Sequence, residues 1–136
     1  MLENKNDFQL RVYYEDTDIG GIVYHANYLK FFERARTEWL REKGITQSLF
    51  LEQKLGFVVT RVEIDYIASA KLDDLLNVSS LITEFKRASL LFSQKITNQH
   101  QQIICAAIVR IAFVDFTKAR PCPIPKSILG ALKRVS

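Results

Sequence analysis

An acidic, glycine-containing loop from Glu15 to Val23 precedes a predicted helix and carries the residues best suited to chemistry. Asp18 lies within this loop, and His25 follows at the start of the helix. A helix N-terminus offers unpaired backbone N–H groups and the positive end of the helix dipole. Such donors can hold a carbonyl oxygen that becomes an oxyanion, while a nearby carboxylate acts as nucleophile or general base. The loop therefore indicates acyl transfer or acyl hydrolysis.

Gly20 and Gly21 fit the same chemistry. Because neither residue carries a Cβ atom, the loop can fold back on itself at this point. The missing side chains would also let a substrate approach the backbone closely.

Each of these residues also has a purely structural interpretation. Acidic residues such as Asp18 commonly cap the helix that follows them, and His25 suits a surface position as well as proton transfer. Glu33, beside apolar neighbours on the helix, is either a pocket carboxylate or the ion-pair partner of Arg36. Residue types alone leave these alternatives open.

Two elements must position the loop. Before it, residues 8–14 alternate between apolar and polar side chains, which predicts a half-buried strand. After it, aromatic and apolar residues recur at helical spacing from about Tyr24, and Gly44 suits the end of a helix. The sequence thus predicts a strand, the loop and one long amphipathic helix in succession.

The rest of the chain predicts a short helix or turn, four strands and a short closing helix. In chain order these elements lie near residues 45–55, 58–66, 75–86, 88–98, 102–116 and 126–134. Since strands and helices do not alternate, we expect an α+β fold in which one long helix packs on an antiparallel sheet. Residues 103–114 are apolar on both faces, which predicts a strand covered on both sides or paired across a subunit boundary. We therefore expect an oligomer.

The composition is that of a single domain spanning residues 1–136. Of its 136 residues, 48% are hydrophobic and 25% are charged, which is the balance of a compact globular chain. No apolar run approaches the ~18 residues needed to span a bilayer, and the first residues lack a signal-peptide core, so we expect a cytoplasmic protein. The two cysteines and two histidines have no metal-ligand spacing, and we expect no metal.

Charge is unevenly distributed along the chain. Residues 1–65 carry 9 basic and 11 acidic side chains, and residues 66–136 carry 10 and 4, so the second half is +6 while the whole chain is +4. A basic half can meet a polyanion, but these charges are scattered over the sequence. No helix-turn-helix, zinc finger or basic aromatic platform is visible, and we expect no nucleic-acid partner.

The stretch from Arg11 to Glu38 closely resembles the hotdog-fold thioesterases of the 4-hydroxybenzoyl-CoA thioesterase family. Within that family it is similar to the YbgC-type acyl-CoA thioesterases, which are encoded beside Tol-Pal cell-envelope genes. The most specific part is Thr-Asp-x-x-Gly-x-Val-x-His at residues 17–25, and the similarity extends to residues 65–74 and 123–127. It implies a sheet wrapped around one long helix, dimerisation by sheet pairing, and commonly a homotetramer with active sites at the subunit boundary.

The resemblance also implies roles for individual residues, with no cofactor. Asp18 would be the catalytic carboxylate, which either attacks the thioester to form a mixed anhydride or activates water. Backbone N–H groups of Tyr24 and His25 would polarise the carbonyl, and the His25 side chain would assist near the carbonyl or the leaving sulfur. Tyr14 and Tyr28 are candidate pocket walls, with core packing as the alternative. The substrate would be an acyl-CoA, with acyl carrier protein as a further possible carrier.

Two other functions compete with this hypothesis. A hotdog dehydratase or hydratase would need a histidine and a helix carboxylate, and His25 and Glu33 supply those residue types. A non-catalytic partner of acyl carrier protein or of envelope complexes would use the basic second half of the chain to meet an acidic protein.

Overall fold

The computed structural model describes residues 5–133, which form a curled antiparallel sheet around one long helix. The helices are α1 (Asn27–Glu42), α2 (Gln47–Glu52) and α3 (Lys126–Lys133). The strands are β1 (Lys5–Arg11), β2 (Leu55–Tyr66), β3 (Leu75–Phe85), β4 (Ser89–Thr97), β5 (Ile103–Asp115) and β6 (Arg120–Pro121). The predicted α+β architecture is confirmed; residue 134, included in the predicted closing helix, lies outside the described residues.

The sheet has six strands in the order β1-β3-β4-β5-β2, and β6 pairs with β5. All pairings are antiparallel. The two edges are therefore β1 and β2, and β5 lies inside the sheet rather than at its boundary. Because β2 follows α1 but pairs with β5, the strands that precede and follow α1 in the chain, β1 and β2, lie at opposite edges of the sheet.

The core lies between α1 and the inner face of the sheet. The buried face of α1 carries the residues that showed helical spacing in the sequence, among them Phe31, Phe32, Ala35 and Trp39. The Trp39 ring meets Phe92 of β4 edge-on, with centroids 5.9 Å apart. Burying each such aromatic side chain contributes about 1.5 to 3 kcal/mol, so this face fixes the helix against the sheet.

A buried polar network also joins α1 to the sheet. The Arg36 guanidinium donates to Gln94 Oε1 at 2.9 Å, and Gln94 Nε2 donates to the Phe32 carbonyl at 3.1 Å and to Ser80 Oγ at 2.9 Å. Burial lowers the pKa of Arg36, with the nearby charge of Glu33 acting in the opposite direction. Arg36 is buried without an ion pair within residues 5–133. The hydrogen bond to Gln94 is therefore the main interaction that offsets the lost hydration of its charge.

Helix α1 is shorter than predicted at its start and ends as predicted. Tyr24 lies in a turn, closed by the Asn27 N–H donating to its carbonyl at 2.8 Å, and the helix begins at Asn27. At the other end Gly44 has φ +82°, and the amides of Gly44 and Ile45 donate to carbonyls of the last helical turn. This is the glycine-terminated C-cap that the sequence indicates.

The first strand ends earlier than its alternation predicted. Strand β1 stops at Arg11, and residues Tyr14–Asp16 form a single 3₁₀ turn. Val12 is buried as expected, whereas Tyr14 is 83% exposed. The turn begins the loop that carries Asp18.

Strand β2 exposes apolar side chains at the edge of the sheet. Val62 faces the same side as its buried partner Val109, yet it is 37% exposed, and Val59 and Tyr66 on that side are exposed as well. The inner face of the sheet is thus left partly uncovered beside α1.

No helix within residues 5–133 combines the length and apolarity that crossing a bilayer requires.

Candidate active site

Asp18 lies on a tight, exposed loop that is held by its own hydrogen bonds. The Asp18 N–H donates to the Ile22 carbonyl at 2.9 Å, and the Gly21 N–H donates to the Asp18 carbonyl at 3.0 Å. Asp18 Oδ1 accepts the Gly20 N–H at 3.0 Å. Gly21 adopts φ +75°, a conformation that favours glycine, whereas Gly20 has no such requirement. The loop therefore presents a fixed carboxylate to solvent.

The connection between β2 and β3 anchors this loop. The Val23 N–H donates to the Ala70 carbonyl at 2.9 Å, and Ile22 forms an isolated bridge with Lys71. Tyr28 Oη accepts the Ala70 N–H at 3.1 Å, and burial raises the pKa of Tyr28. The loop, the helix start and this connection consequently form one unit.

The two backbone donors expected at the helix start differ in their environment. The Tyr24 N–H donates to the Asp16 carbonyl at 2.9 Å. Within residues 5–133, the His25 N–H has no hydrogen-bond acceptor. Of the two, His25 therefore has the amide that is available to a substrate oxygen.

Two aromatic rings contact the His25 side chain. Its ring centroid lies 4.6 Å from that of Tyr24 and 6.0 Å from that of Tyr66, and Tyr66 also contacts Tyr28 at 5.8 Å. Tyr28 is a core residue whose hydroxyl anchors the loop, and Tyr14 lies at the surface. The wall beside His25 is instead formed by Tyr66, which sequence reasoning missed; its place at the end of the β2 alternation was the available signal.

Asp16 is a second residue that sequence reasoning missed. It is only 5% exposed, and its carboxylate accepts the Tyr13 N–H at 2.8 Å and the Asn27 side-chain N–H at 3.0 Å. In the sequence it is one of several loop carboxylates, and nothing there separates the buried Asp16 from the exposed Asp18.

Glu33 lies away from His25 and has a local partner. Its Oε2 accepts the Thr37 hydroxyl at 2.6 Å, and no ion pair joins it to Arg36 in the described part of the chain. It lies six positions after Asn27 in the helix, which corresponds to ~9 Å of rise. The structure therefore does not bring Glu33 together with His25 of the same chain.

Within residues 5–133, neither a cluster of metal ligands nor a reactive thiol adds to this site. Among residues 5–133 no group of three or more His, Cys, Asp or Glu side chains could hold a metal ion. Cys105 is buried in β5, and burial raises the pKa of its thiol to about 12. A thiol with that pKa remains protonated at neutral pH, which disfavours a nucleophilic role.

The sequence matches known thioesterases over most of its length. Residues 12–132 match the family described as the Thioesterase-like superfamily. The acyl-CoA thioesterase YbgC of Haemophilus influenzae is 50% identical over 132 residues, which cover 96% of this chain and 96% of that protein.

Solved structures share the fold. A probable thioesterase from Bartonella henselae is 38% identical and superposes with a TM-score of 0.82, covering 89% of this chain and 99% of that one. A mutant 4-hydroxybenzoyl CoA thioesterase complexed with 4-hydroxybenzoyl CoA is 19% identical, with a TM-score of 0.85 over 95% of this chain and 99% of its own. The second likeness shows the fold alone, and together they confirm the expected hotdog fold.

Proposed function

The chain belongs to the Thioesterase-like superfamily, and we propose that it hydrolyses acyl-CoA thioesters with Asp18 as its catalytic carboxylate. The observation that carries the proposal is the exposed Asp18 carboxylate on a loop anchored to a helix start with an unpaired His25 amide. That pairing supplies both a nucleophile or base and an oxyanion donor.

Two routes are consistent with this arrangement. In the first, an Asp18 carboxylate oxygen attacks the thioester carbonyl carbon, the C–S bond breaks, the thiolate takes up a proton, and water hydrolyses the resulting mixed anhydride. In the second, Asp18 removes a proton from water, the hydroxide attacks the carbonyl carbon, and the thiolate leaves and is protonated. In both routes the carbonyl oxygen becomes negative and accepts a hydrogen bond from the His25 N–H.

The His25 imidazole has a supporting role in this proposal. Its ring lies beside those of Tyr24 and Tyr66, and we propose that it assists near the carbonyl or the leaving sulfur of a bound thioester. The Tyr24 N–H, committed to the Asp16 carbonyl, shapes the turn and leaves carbonyl polarisation to His25.

We propose that the active form is a homo-oligomer in the cytoplasm, with a dimer formed along the edge strand β2. The exposed inner-face side chains Val59, Val62 and Tyr66 would be covered by a second copy, and the unpaired edge of β2 would find a partner strand. A tetramer would require a further contact between such dimers. An acyl group carried on acyl carrier protein is a second possible substrate.

The proposal is tested by free-thiol release from short, long and aromatic acyl-CoA thioesters, with the wild type and Asp18→Asn compared side by side. We expect wild-type hydrolysis and a loss of at least about a hundredfold in kcat for the variant, because both routes need the ionised carboxylate. An equally active variant would exclude Asp18. Loss of a conjugated double bond from a 2-enoyl thioester without thiol release would instead indicate a hydratase.

A further inference from the structure

Asp16 is a buried carboxylate without a cation. It is 5% exposed, and no lysine, arginine or histidine of residues 5–133 lies within ion-pair distance. A buried charge is costly unless hydrogen bonds replace its hydration. The N–H groups of Tyr13 and of the Asn27 side chain do so at 2.8 and 3.0 Å, and bonds to a charged acceptor are stronger than neutral ones.

The hydrogen bonds of Asp16 lie on both sides of His25. Its carbonyl accepts the N–H of Tyr24, the residue before His25, and its carboxylate accepts the side chain of Asn27, two residues after. The His25 amide thus lies between Tyr24 and Asn27, which are both hydrogen-bonded to Asp16. Because Asp16 is also two residues from Asp18, it links the proposed catalytic carboxylate of Asp18 to the proposed oxyanion donor, the His25 N–H.

The carboxylate is chemically required for the two side-chain hydrogen bonds of Asp16, from the Tyr13 N–H and from the Asn27 amide. An ionised carboxylate presents two acceptor oxygens, whereas an asparagine at the same place has one acceptor and one donor. Only the carboxylate can receive both the Tyr13 backbone N–H and the Asn27 amide without either group turning over.

We propose that Asp16 is a positioning residue that aims the His25 amide at the reacting carbonyl, with Asn27 as its side-chain partner. This inference rests on the proposed function, since the amide matters only if an oxyanion forms beside it. Small displacements of a catalytic group are costly, and a shift of about 1 Å lowers rates by about a hundredfold.

The first experiment measures thioester hydrolysis by Asp16→Ala and Asn27→Ala beside the wild type. We expect kcat to fall about tenfold to a hundredfold while KM changes little, because the lost interaction acts on the transition state. Far-UV circular dichroism and thermal melting on the same samples give the folded fraction. Wild-type kcat in folded Asp16→Ala would overturn the proposal.

A charge exchange separates positioning from a merely structural role. Asn27→Asp places two carboxylates against each other, so we expect its kcat to fall at least as far as that of Asn27→Ala. The double variant Asp16→Asn/Asn27→Asp restores one carboxylate and one amide, and we expect it to regain most of the lost kcat. A double variant no better than Asn27→Asp would contradict the pairing.

An observation that does not depend on activity keeps this inference separate from the assignment of Asp18. In ¹H–¹⁵N spectra, the amide signals of Tyr24 and His25 should shift in Asp16→Ala and return in the double variant. If Asp18→Asn is fully active while these signals behave as expected, the proposed mechanism fails and the attachment of His25 to Asp16 stands. Unchanged amide signals in Asp16→Ala would overturn the inference itself.

Discussion

At the scale of single residues, the two aspartates of the Asp-Thr-Asp run have opposite environments. Asp16 is buried and both of its carboxylate oxygens accept hydrogen bonds, whereas Asp18 is exposed and, within residues 5–133, its carboxylate accepts only the Gly20 N–H. One carboxylate is therefore committed to structure, and the other retains lone pairs for a substrate or a water molecule. Their separation by one residue places both functions on the same turn.

The neighbouring glycines provide a test of the loop geometry. Gly21→Ala should destabilise the protein by about 1 to 2 kcal/mol and lower kcat, because its φ of +75° disfavours any residue with a Cβ. Urea denaturation and thiol release measure the two effects. Gly20→Ala is the matched control: its added Cβ would lie 3.6 Å from Asp18 Oδ1, an ordinary contact, and stability should change by less than about 0.5 kcal/mol. Equal losses in both variants would show that backbone conformation is not the cause.

At the scale of elements, α1 is fixed to the sheet by apolar packing and by the network of Arg36, Gln94 and Ser80. The helix start carries the site, so its position depends on contacts about one to three turns further along the helix. Gln94 has the central place in the network, because it accepts from Arg36 and donates to both Phe32 and Ser80.

Replacing Gln94 should therefore destabilise the protein much more than replacing its hydrogen-bond partner Ser80. Gln94→Leu leaves the buried Arg36 guanidinium without its acceptor, and we expect a loss of about 2 to 4 kcal/mol in the free energy of unfolding. Ser80→Ala removes a single neutral hydrogen bond and should cost about 1 kcal/mol. Chemical denaturation of both variants gives the comparison, and similar losses would argue against the central role of Gln94.

The sequence predicts elements well where one face is buried, and less well where tertiary contacts determine where an element begins. Strands β3, β4 and β5 and the end of α1 follow from periodicity and from Gly44. The start of α1 was predicted too early because Tyr24 continues the apolar pattern, although its amide is drawn to the Asp16 carbonyl. The attachment of Tyr28 to Ala70 joins residues far apart in sequence, and no local pattern encodes it.

At the scale of the whole molecule, the sheet has two unequal edges. Strand β1 covers seven residues, whereas β2 covers twelve and leaves apolar side chains exposed beside α1. A long edge strand with an uncovered apolar face tends to pair with another chain. The predicted oligomer is thus better explained by β2 than by β5, which has a partner strand on each edge within the chain.

A charge at this edge should separate the subunits. Val62→Lys places an ammonium group on the exposed inner face of β2, and we expect a shift toward monomer in sedimentation velocity together with lower activity, if the site lies at the boundary. Glu63→Lys introduces the same side chain on the outer face of the same strand and should leave the assembly unchanged. A monomeric wild type, or equal behaviour of the two variants, would exclude an interface at the inner face of β2.

The pairing of β2 with β5 also sets an order of events during synthesis. Leu55 pairs with Asp115 and Tyr66 with Cys105, so a chain emerging from the ribosome keeps β2 without its partner strand until residues 105–115 have been made. Such distant pairing is slow to form and leaves the strand open to wrong partners meanwhile. We expect pulsed hydrogen exchange during refolding to show β2 amides gaining protection together with those of β5, after the β3–β4 hairpin. Nascent chains stalled before residue 103 should accordingly depend on chaperones.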